Sequence, residues 1–222
     1  MLKIKNISKS FTNGLSTRKV LNEISLEVNK GDTIAIVGPS GSGKTTLLNI
    51  IGSLDTADSG EIKLGETDYS KITANDLSTL RNRKIGMVFQ FHHLLPQCNV
   101  WENVLLPTLP LNIKDGSIEA RAEALLKQTG IWEQRFQKPS SLSGGECQRT
   151  AVVRALINNP ELILADEPTG ALDHSNAVKL IDTIIDLNRI YGTTLILVTH
   201  SLEIASKMGK KYNLNDGKLE QL

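Results

Sequence analysis

Gly38-Pro39-Ser40-Gly41-Ser42-Gly43-Lys44-Thr45 fits the phosphate-loop pattern: Gly, any four residues, then Gly-Lys-Ser/Thr. Before it, Thr33-Ile34-Ala35-Ile36-Val37 is an apolar, β-branched run that reads as a buried strand. After it, Thr46-Leu47-Leu48-Asn49-Ile50-Ile51 reads as the first turns of a helix. Strand, glycine-rich turn and helix are the context the pattern needs. Glycines let the backbone fold tightly with its N–H groups pointing inward, a nest for phosphate oxygens. The helix start adds unpaired N–H groups and the positive end of its dipole. In such a loop Lys44 reaches the β- and γ-phosphates of a nucleotide and the Thr45 hydroxyl binds Mg²⁺.

The 222 residues suffice for one sizeable core with a smaller subdomain inserted. A hydrophobic fraction of 40% is ordinary for a globular chain and argues against wholesale disorder. Lys+Arg 25 against Asp+Glu 24 leaves a formal charge of +1, which argues against a large footprint for nucleic acid. Cys98 and Cys147 make no disulfide framework and no zinc pair, and suit a reducing compartment. The N-terminus alternates apolar and charged residues and lacks the apolar core of a signal peptide. No window approaches 18 continuous apolar residues, so an intracellular protein held at a membrane only by a partner is expected.

Along the chain, residues 2–8 and 23–28 alternate with period two and read as strands joined by a turn-rich connection around Asn13-Gly14 and Ser16-Thr17. Residues 60–65 form a short strand, Thr73 to Arg83 a helix capped by Thr73 or Asn75, and Ile85 to Phe89 a strand ending at Gln90. Residues 91–112 are rich in Leu, Pro and aromatics and almost free of charge. A helix follows from Ser117 to Gln128, closed by Gly130. Leu142-Ser143-Gly144-Gly145-Glu146 opens another helix, and Ser143 as cap with two glycines makes a second potential anion site. Glu161 to Ala165 is an apolar strand delivering Asp166 and Glu167 at its C-terminal edge, about 120 residues beyond the phosphate loop. That is the place for an Asp that holds Mg²⁺. A helix from about Ser175 to Tyr191 leads to the strand Thr194 to Thr199, which ends in His200. A short helix (about 202–208) and strands near 211–214 and 218–220 finish the chain. The layout is a mostly parallel sheet with helices around it, an antiparallel N-terminal part and a helical insertion.

Gly38–Thr45, Gln90, Leu142–Glu146, Leu162–Glu167, Gly170-Ala171-Leu172-Asp173 and His200 together resemble, in order and spacing, the Walker A, Q-loop, signature, Walker B, D-loop and H-loop of ABC-type ATPases. The resemblance implies an α/β P-loop NTPase with a mostly parallel sheet, an antiparallel N-terminal β subdomain and an inserted α-helical subdomain. It makes residues 1–222 a single ATPase domain, its core about 1–90 and 156–222 and its helical subdomain about 91–155. ATP and Mg²⁺ are the implied ligands. ATP would be held by Gly38, Pro39, Ser40, Gly41, Ser42, Gly43, Lys44, Thr45 and Thr46, with Phe11 stacking on adenine where the family more often has Tyr. Ser143, Gly144, Gly145 and Glu146 would close on the γ-phosphate of a nucleotide held by another copy, which implies a head-to-tail homodimer with two ATP molecules at its interface and Asp173 organising it. Thr45, Gln90 and Asp166 would serve Mg²⁺, directly or through water. Glu167 would act as general base, with Gln90 and His200 contacting water and the γ-phosphate. Cys147 replaces the family's usual Gln or Arg, and Thr150 a usual aliphatic residue; neither position carries chemistry.

A single phosphate loop and signature, with near-neutral charge, fit a separate transport ATPase docking on integral membrane permease subunits rather than a nucleic-acid partner. Phe89-Gln90-Phe91-His92-His93-Leu94-Leu95-Pro96 resembles the lipoprotein-releasing branch of the family. Asn49–Asp55 and Pro168–Asp173 are shared with macrolide-exporter and cell-division ATPases, which stay open as alternatives. The branch implies a peripheral position on the cytoplasmic face of the bacterial inner membrane. The charge-poor stretch 91–112 is the expected docking surface. His92 and His93, being adjacent, do not readily face one metal, and a surface or docking role is expected of them; His174 is expected to face solvent.

Overall fold

The computed structural model describes residues 1–14, 16–111 and 116–222. The chain divides into two compact units, Met1–Arg81 with Thr194–Leu222, and Asn82–Thr193.

In the first unit, β1 (Leu2–Asn13) and β2 (Ser16–Val28) pair antiparallel, and β4 (Ser59–Leu64) and β5 (Thr67–Asp68) extend the sheet in the order β2-β1-β4-β5. The hairpin is longer than the alternating pattern indicates, and the connection expected over residues 9–22 is mostly strand. The reason lies in its bulges. The β1–β2 register shifts between Ile4 and Ile7, Ile7 and Lys9, and Lys9 and Ser10. Each shift moves the inward set by a residue, so the period-two signal fades while pairing continues. Asn6 and Glu23 take φ of 52° and 53°. Leu2, Ile4, Ile7, Leu21, Ile24 and Val28 are buried on one face.

The same unit carries β3 (Thr33–Val37), whose neighbours are β8 (Thr194–Val198) and β9 (Lys210–Asn215), both parallel to it, with β10 (Lys218–Gln221) antiparallel to β9. Ile34, Ala35 and Ile36 are fully buried, as are Leu195 through Val198, the mark of strands covered on both faces. The helix α1 (Lys44–Ile51) follows the loop after β3 and buries Leu47, Leu48, Ile50 and Ile51. The helix α2 (Ala74–Lys84) starts where Thr73 Oγ1 accepts from the Asp76 N–H at 3.2 Å, as expected.

In the second unit β6 (Ile85–Val88) and β7 (Leu162–Asp166) pair parallel. Around them lie α3 (Val100–Leu105), α4 (Ser117–Gln128), α5 (Gly144–Leu156) and α6 (His174–Tyr191). A Cβ on Gly86 would meet the Ala155 carbonyl, and Ile163 Cδ1 at 2.6 Å, so only glycine lets β6 and α5 approach this closely. Gly130, φ 68°, closes α4 one residue past its C-cap. The last short helix, α7 (Leu202–Ser206), belongs to the first unit. No helix among the described residues is long and apolar enough to cross a membrane.

Candidate active site

Gly38 leaves β3 at φ 154°, and a Cβ there would run into the Leu214 carbonyl. Gly43 turns into α1 at φ 101°, where a Cβ would meet Val20 Cγ1 at 2.7 Å. These two positions need glycine both for conformation and for room. Gly43 at the N-cap of α1 has no side chain to cap it, and unpaired N–H groups at the positive end of a helix suit an anion. Lys44 is buried to 8% exposure, its Nζ donating to the Gly38 and Pro39 carbonyls at 2.9 Å each. The ammonium is thereby held at the mouth of the loop. Ser42 Oγ is buried with no hydrogen-bond partner among the described residues. A buried hydroxyl without a partner is costly, and a phosphate oxygen would satisfy it.

The strand register places a histidine level with this loop. Ile36 pairs with Val198, so Gly38 and His200 emerge together from the C-terminal ends of adjacent parallel strands. His200 is exposed there, with Ser201 next to it capping α7 through the Ile204 N–H. Phe11 sits on β1, 48% exposed, with Lys9 Nζ 5.3 Å from its ring centre.

The second unit builds its own edge. Val88 pairs with Ala165, so residues 89 and 90 run level with Asp166 and Glu167 past the ends of β6 and β7. A Cβ on Gly170 would lie 2.9 Å from Gln90 Nε2, so the Gln90 amide is packed on that glycine's backbone. Gln90, Asp166 and Glu167 are thus brought to one strand edge, the usual place for chemistry in a parallel sheet. Glu167 has φ 46°, a left-handed backbone that residues other than glycine rarely adopt.

Ser143 caps α5 in a full capping box. Its Oγ accepts the Glu146 N–H at 3.3 Å and donates to Glu146 Oε2 at 2.7 Å, while its own N–H donates to the same oxygen at 2.8 Å. These bonds, the hydroxyl's first, hold the Glu146 carboxyl below its usual range. The carboxylate is engaged within the cap, and the two residues between it and Ser143 are glycines, with Leu172 Cδ2 and Arg149 Nη1 the side-chain atoms nearest to where their Cβ atoms would stand, at 3.7 and 3.5 Å. Cys147 is buried, with its thiol against the Pro139 carbonyl and pushed up in pKa chiefly by burial. Thr150 is fully buried and bonds back to the Glu146 carbonyl at 2.8 Å. Asp173 caps α6 through the Asn176 N–H at 3.0 Å, and that bond chiefly lowers its pKa.

Sequence reasoning missed the residues that fix the segment around Gln90. Gln148 on α5 is 3% exposed and donates through Nε2 to the Phe89 carbonyl at 2.7 Å. Arg154, one and a half turns further on, donates to the His92 and His93 carbonyls at 2.7 Å each. The helix that opens on Ser143 therefore grips residues 89–93 at three carbonyls. His93 takes φ 48° there, and burial, then Arg154 and His93, hold the His92 pKa below its ordinary value. The charge-poor stretch divides its side chains. Leu94, Val100 and Val104 are buried, whereas Phe91, Leu95 and Leu109 are exposed, at 66%, 39% and 72%; residue 112 lies outside the described residues. His174 is exposed on the first turn of α6.

The sequence profile of the ABC transporter family matches residues 21–170. This chain belongs to that family. It is 44% identical over 219 residues to the lipoprotein-releasing system ATP-binding protein LolD of Legionella pneumophila (strain Paris), covering 99% of this chain and 96% of the relative. The LolD of Pseudoalteromonas translucida (strain TAC 125) is 42% identical over 99% of this chain and 94% of its own length. Among solved structures, the dimeric post-hydrolysis state of the ATP-binding cassette MJ0796 bound to ADP and Pi superposes with a TM-score of 0.90 at 37% identity, covering 100% of this chain and 99% of that one. A second dimeric structure of MJ0796, described as a bacterial ABC transporter cassette, gives the same figures. The fold is that of an ABC ATPase cassette: parallel strands with helices, and an antiparallel sheet at the N-terminus.

Proposed function

We propose that this chain is the ATP-hydrolysing subunit of a membrane ABC complex that releases lipoproteins from the inner membrane. The observation that carries the reading is the near-full-length likeness to two lipoprotein-releasing ATP-binding proteins.

In this reading the phosphates of ATP rest on the N–H groups from Gly41 to Thr46, and Lys44 and the Ser42 hydroxyl contact their oxygens. Thr45, Asp166 and Gln90 offer hard oxygen donors of the kind Mg²⁺ prefers, and the ion, when bound, neutralises charge building on the β- and γ-phosphates. Glu167 accepts a proton from, and orients, the attacking water; Gln90 also contacts that water; His200 donates to a γ-phosphate oxygen. Phe11 lends its ring face to adenine. Ser143 and the N–H groups of Gly144 and Gly145 serve the nucleotide of a second copy, so the working form is a head-to-tail homodimer with Asp173 at its interface. Phe91, Leu95 and Leu109 form the surface on which integral membrane subunits dock, and the chain sits peripherally on the cytoplasmic face. The division into a core (about 1–90 and 156–222) and a helical subdomain (91–155) is part of the same proposal.

The test is reconstitution in proteoliposomes with the native membrane partners and a labelled lipoprotein. ATP-dependent release by wild type, and none by Glu167→Gln, is expected. Release that is absent while drugs or peptides are moved in an ATP-dependent way assigns the chain to an exporter instead.

A further inference from the structure

Arg18 stands on β2 directly opposite Phe11 in the hairpin register, and side chains of directly opposed residues share a face of the sheet. Its Nη2 donates to the Gly41 carbonyl, at the tip of the phosphate loop, at 3.2 Å. The arginine therefore reaches from the proposed base-stacking residue to the loop itself. Two cavities flank the loop in this unit, and Arg18 lines both. The one of about 240 Å³ is bounded by Arg18, Val20, Gly41, Gly43, Lys44, Thr45 and Thr46. It carries two cationic side chains, the anion-binding helix start and no carboxylate. The other, of about 370 Å³, adds Lys19 but also Asp216, whose charge repels an anion. A polyphosphate belongs in the first.

We propose that Arg18 is a nucleotide-binding residue, which releases the Gly41 carbonyl and donates to the α-phosphate of the bound nucleotide. The α-phosphate lies between the base, assigned to Phe11, and the β- and γ-phosphates, assigned to Lys44, and Arg18 bridges those two residues' positions. A planar guanidinium matches the phosphate oxygens in geometry as well as charge. The carbonyl it leaves belongs to an exposed residue, so water replaces the lost bond. No pattern in the sequence marks this position, because the arginine reaches the loop from a separate strand.

The inference rests on the ATP-binding reading above, and ADP, which is not hydrolysed, separates the two. The full chain is titrated with ADP by calorimetry at low and at high salt, as wild type, Arg18→Ala, Arg18→Gln and Lys19→Ala. Arg18→Ala and Arg18→Gln are expected to weaken ADP by roughly five-fold at low salt, and less as salt rises, in keeping with an exposed ion pair. Lys19→Ala loses the same charge from the neighbouring residue and is expected to bind like wild type. Unchanged affinity in both Arg18 variants overturns the inference, as does an equal loss in Lys19→Ala, or a loss indifferent to salt. Arg18→Gln keeps the stem as far as Cδ and a polar end while removing the charge, and carries the test if Arg18→Ala lowers the melting temperature. A wild-type chain that binds no ADP overturns the ATP-binding reading itself.

Discussion

Glu167 is where residue chemistry and backbone geometry meet. A non-glycine residue held in the left-handed region costs on the order of 1–3 kcal/mol, and here φ is 46° directly after Asp166. That turn falls where the strand ends at Asp166, and the proposal assigns Asp166 to the metal and Glu167 to the base. Glu167→Gln keeps the shape and removes the basic oxygen. Steady-state phosphate release is expected to fall by at least about a hundred-fold, while ATP still drives dimerisation seen by gel filtration. Turnover within a few-fold of wild type removes Glu167 as the base. Lys44 offers the complementary case, since the role proposed for its ammonium is binding rather than proton transfer. Lys44→Ala is expected to weaken ATP by about ten-fold or more, read by the same titration used for Arg18. Wild-type ATP affinity in that variant contradicts the phosphate role.

Among the elements, α5 ties one function to another. Its first turn presents Ser143, Gly144 and Gly145, and further along Gln148 and Arg154 hold the backbone of residues 89–93. Gln148→Leu keeps the volume but strands the Phe89 carbonyl, an error costing about 1–3 kcal/mol. A lower melting temperature together with slowed hydrolysis is expected, because Gln90 follows Phe89 directly; a lower melting temperature alone, with wild-type turnover, reduces Gln148 to a packing residue. The cap has its own signature in pH. The Glu146 carboxyl titrates below its ordinary 4.5 in the folded chain, so its contribution is full above that value and is lost as pH falls through the lower folded pKa. Ser143→Ala is expected to cost about 1 kcal/mol near neutrality and to flatten that acid loss, as followed by thermal melts from pH 7 downward. The strand-loop-helix at residues 33–51, the acidic strand end and the capped helices were legible in the sequence, because each is written in local residue order: β-branched runs, glycines at a turn, Ser143 three residues before Glu146. Gln148, Arg154 and Arg18 were not, since each acts through a carbonyl distant in the chain, 59 residues away for Gln148. The long β1–β2 hairpin was half legible, as its bulges erased the alternation that signals a strand.

At the scale of the whole molecule, the proposed site is complete only in a pair. One copy supplies Lys44 and Thr45 to a nucleotide, and a second supplies Ser143, Gly144 and Gly145. A net charge of +1 puts little electrostatic repulsion in the way of that pairing. Two consequences separate the paired site from one complete in a single chain. Turnover per chain should rise with protein concentration and then saturate, as mass action demands of a dimer. Complementation is sharper. Lys44→Ala spoils one face of a site and Gly144→Asp the other, where a carboxylate would meet the phosphate. At ATP too dilute to saturate Lys44→Ala, each variant alone is expected to be nearly inactive. Mixed in equal amounts and allowed to exchange, they form heterodimers in which one of the two sites joins an intact Lys44 to an intact Gly144. With random pairing and independent sites, about a quarter of the wild-type rate returns. A mixture as inactive as its components, under conditions where exchange is shown by size and mass, means that each chain closes its own site and that the head-to-tail arrangement is wrong.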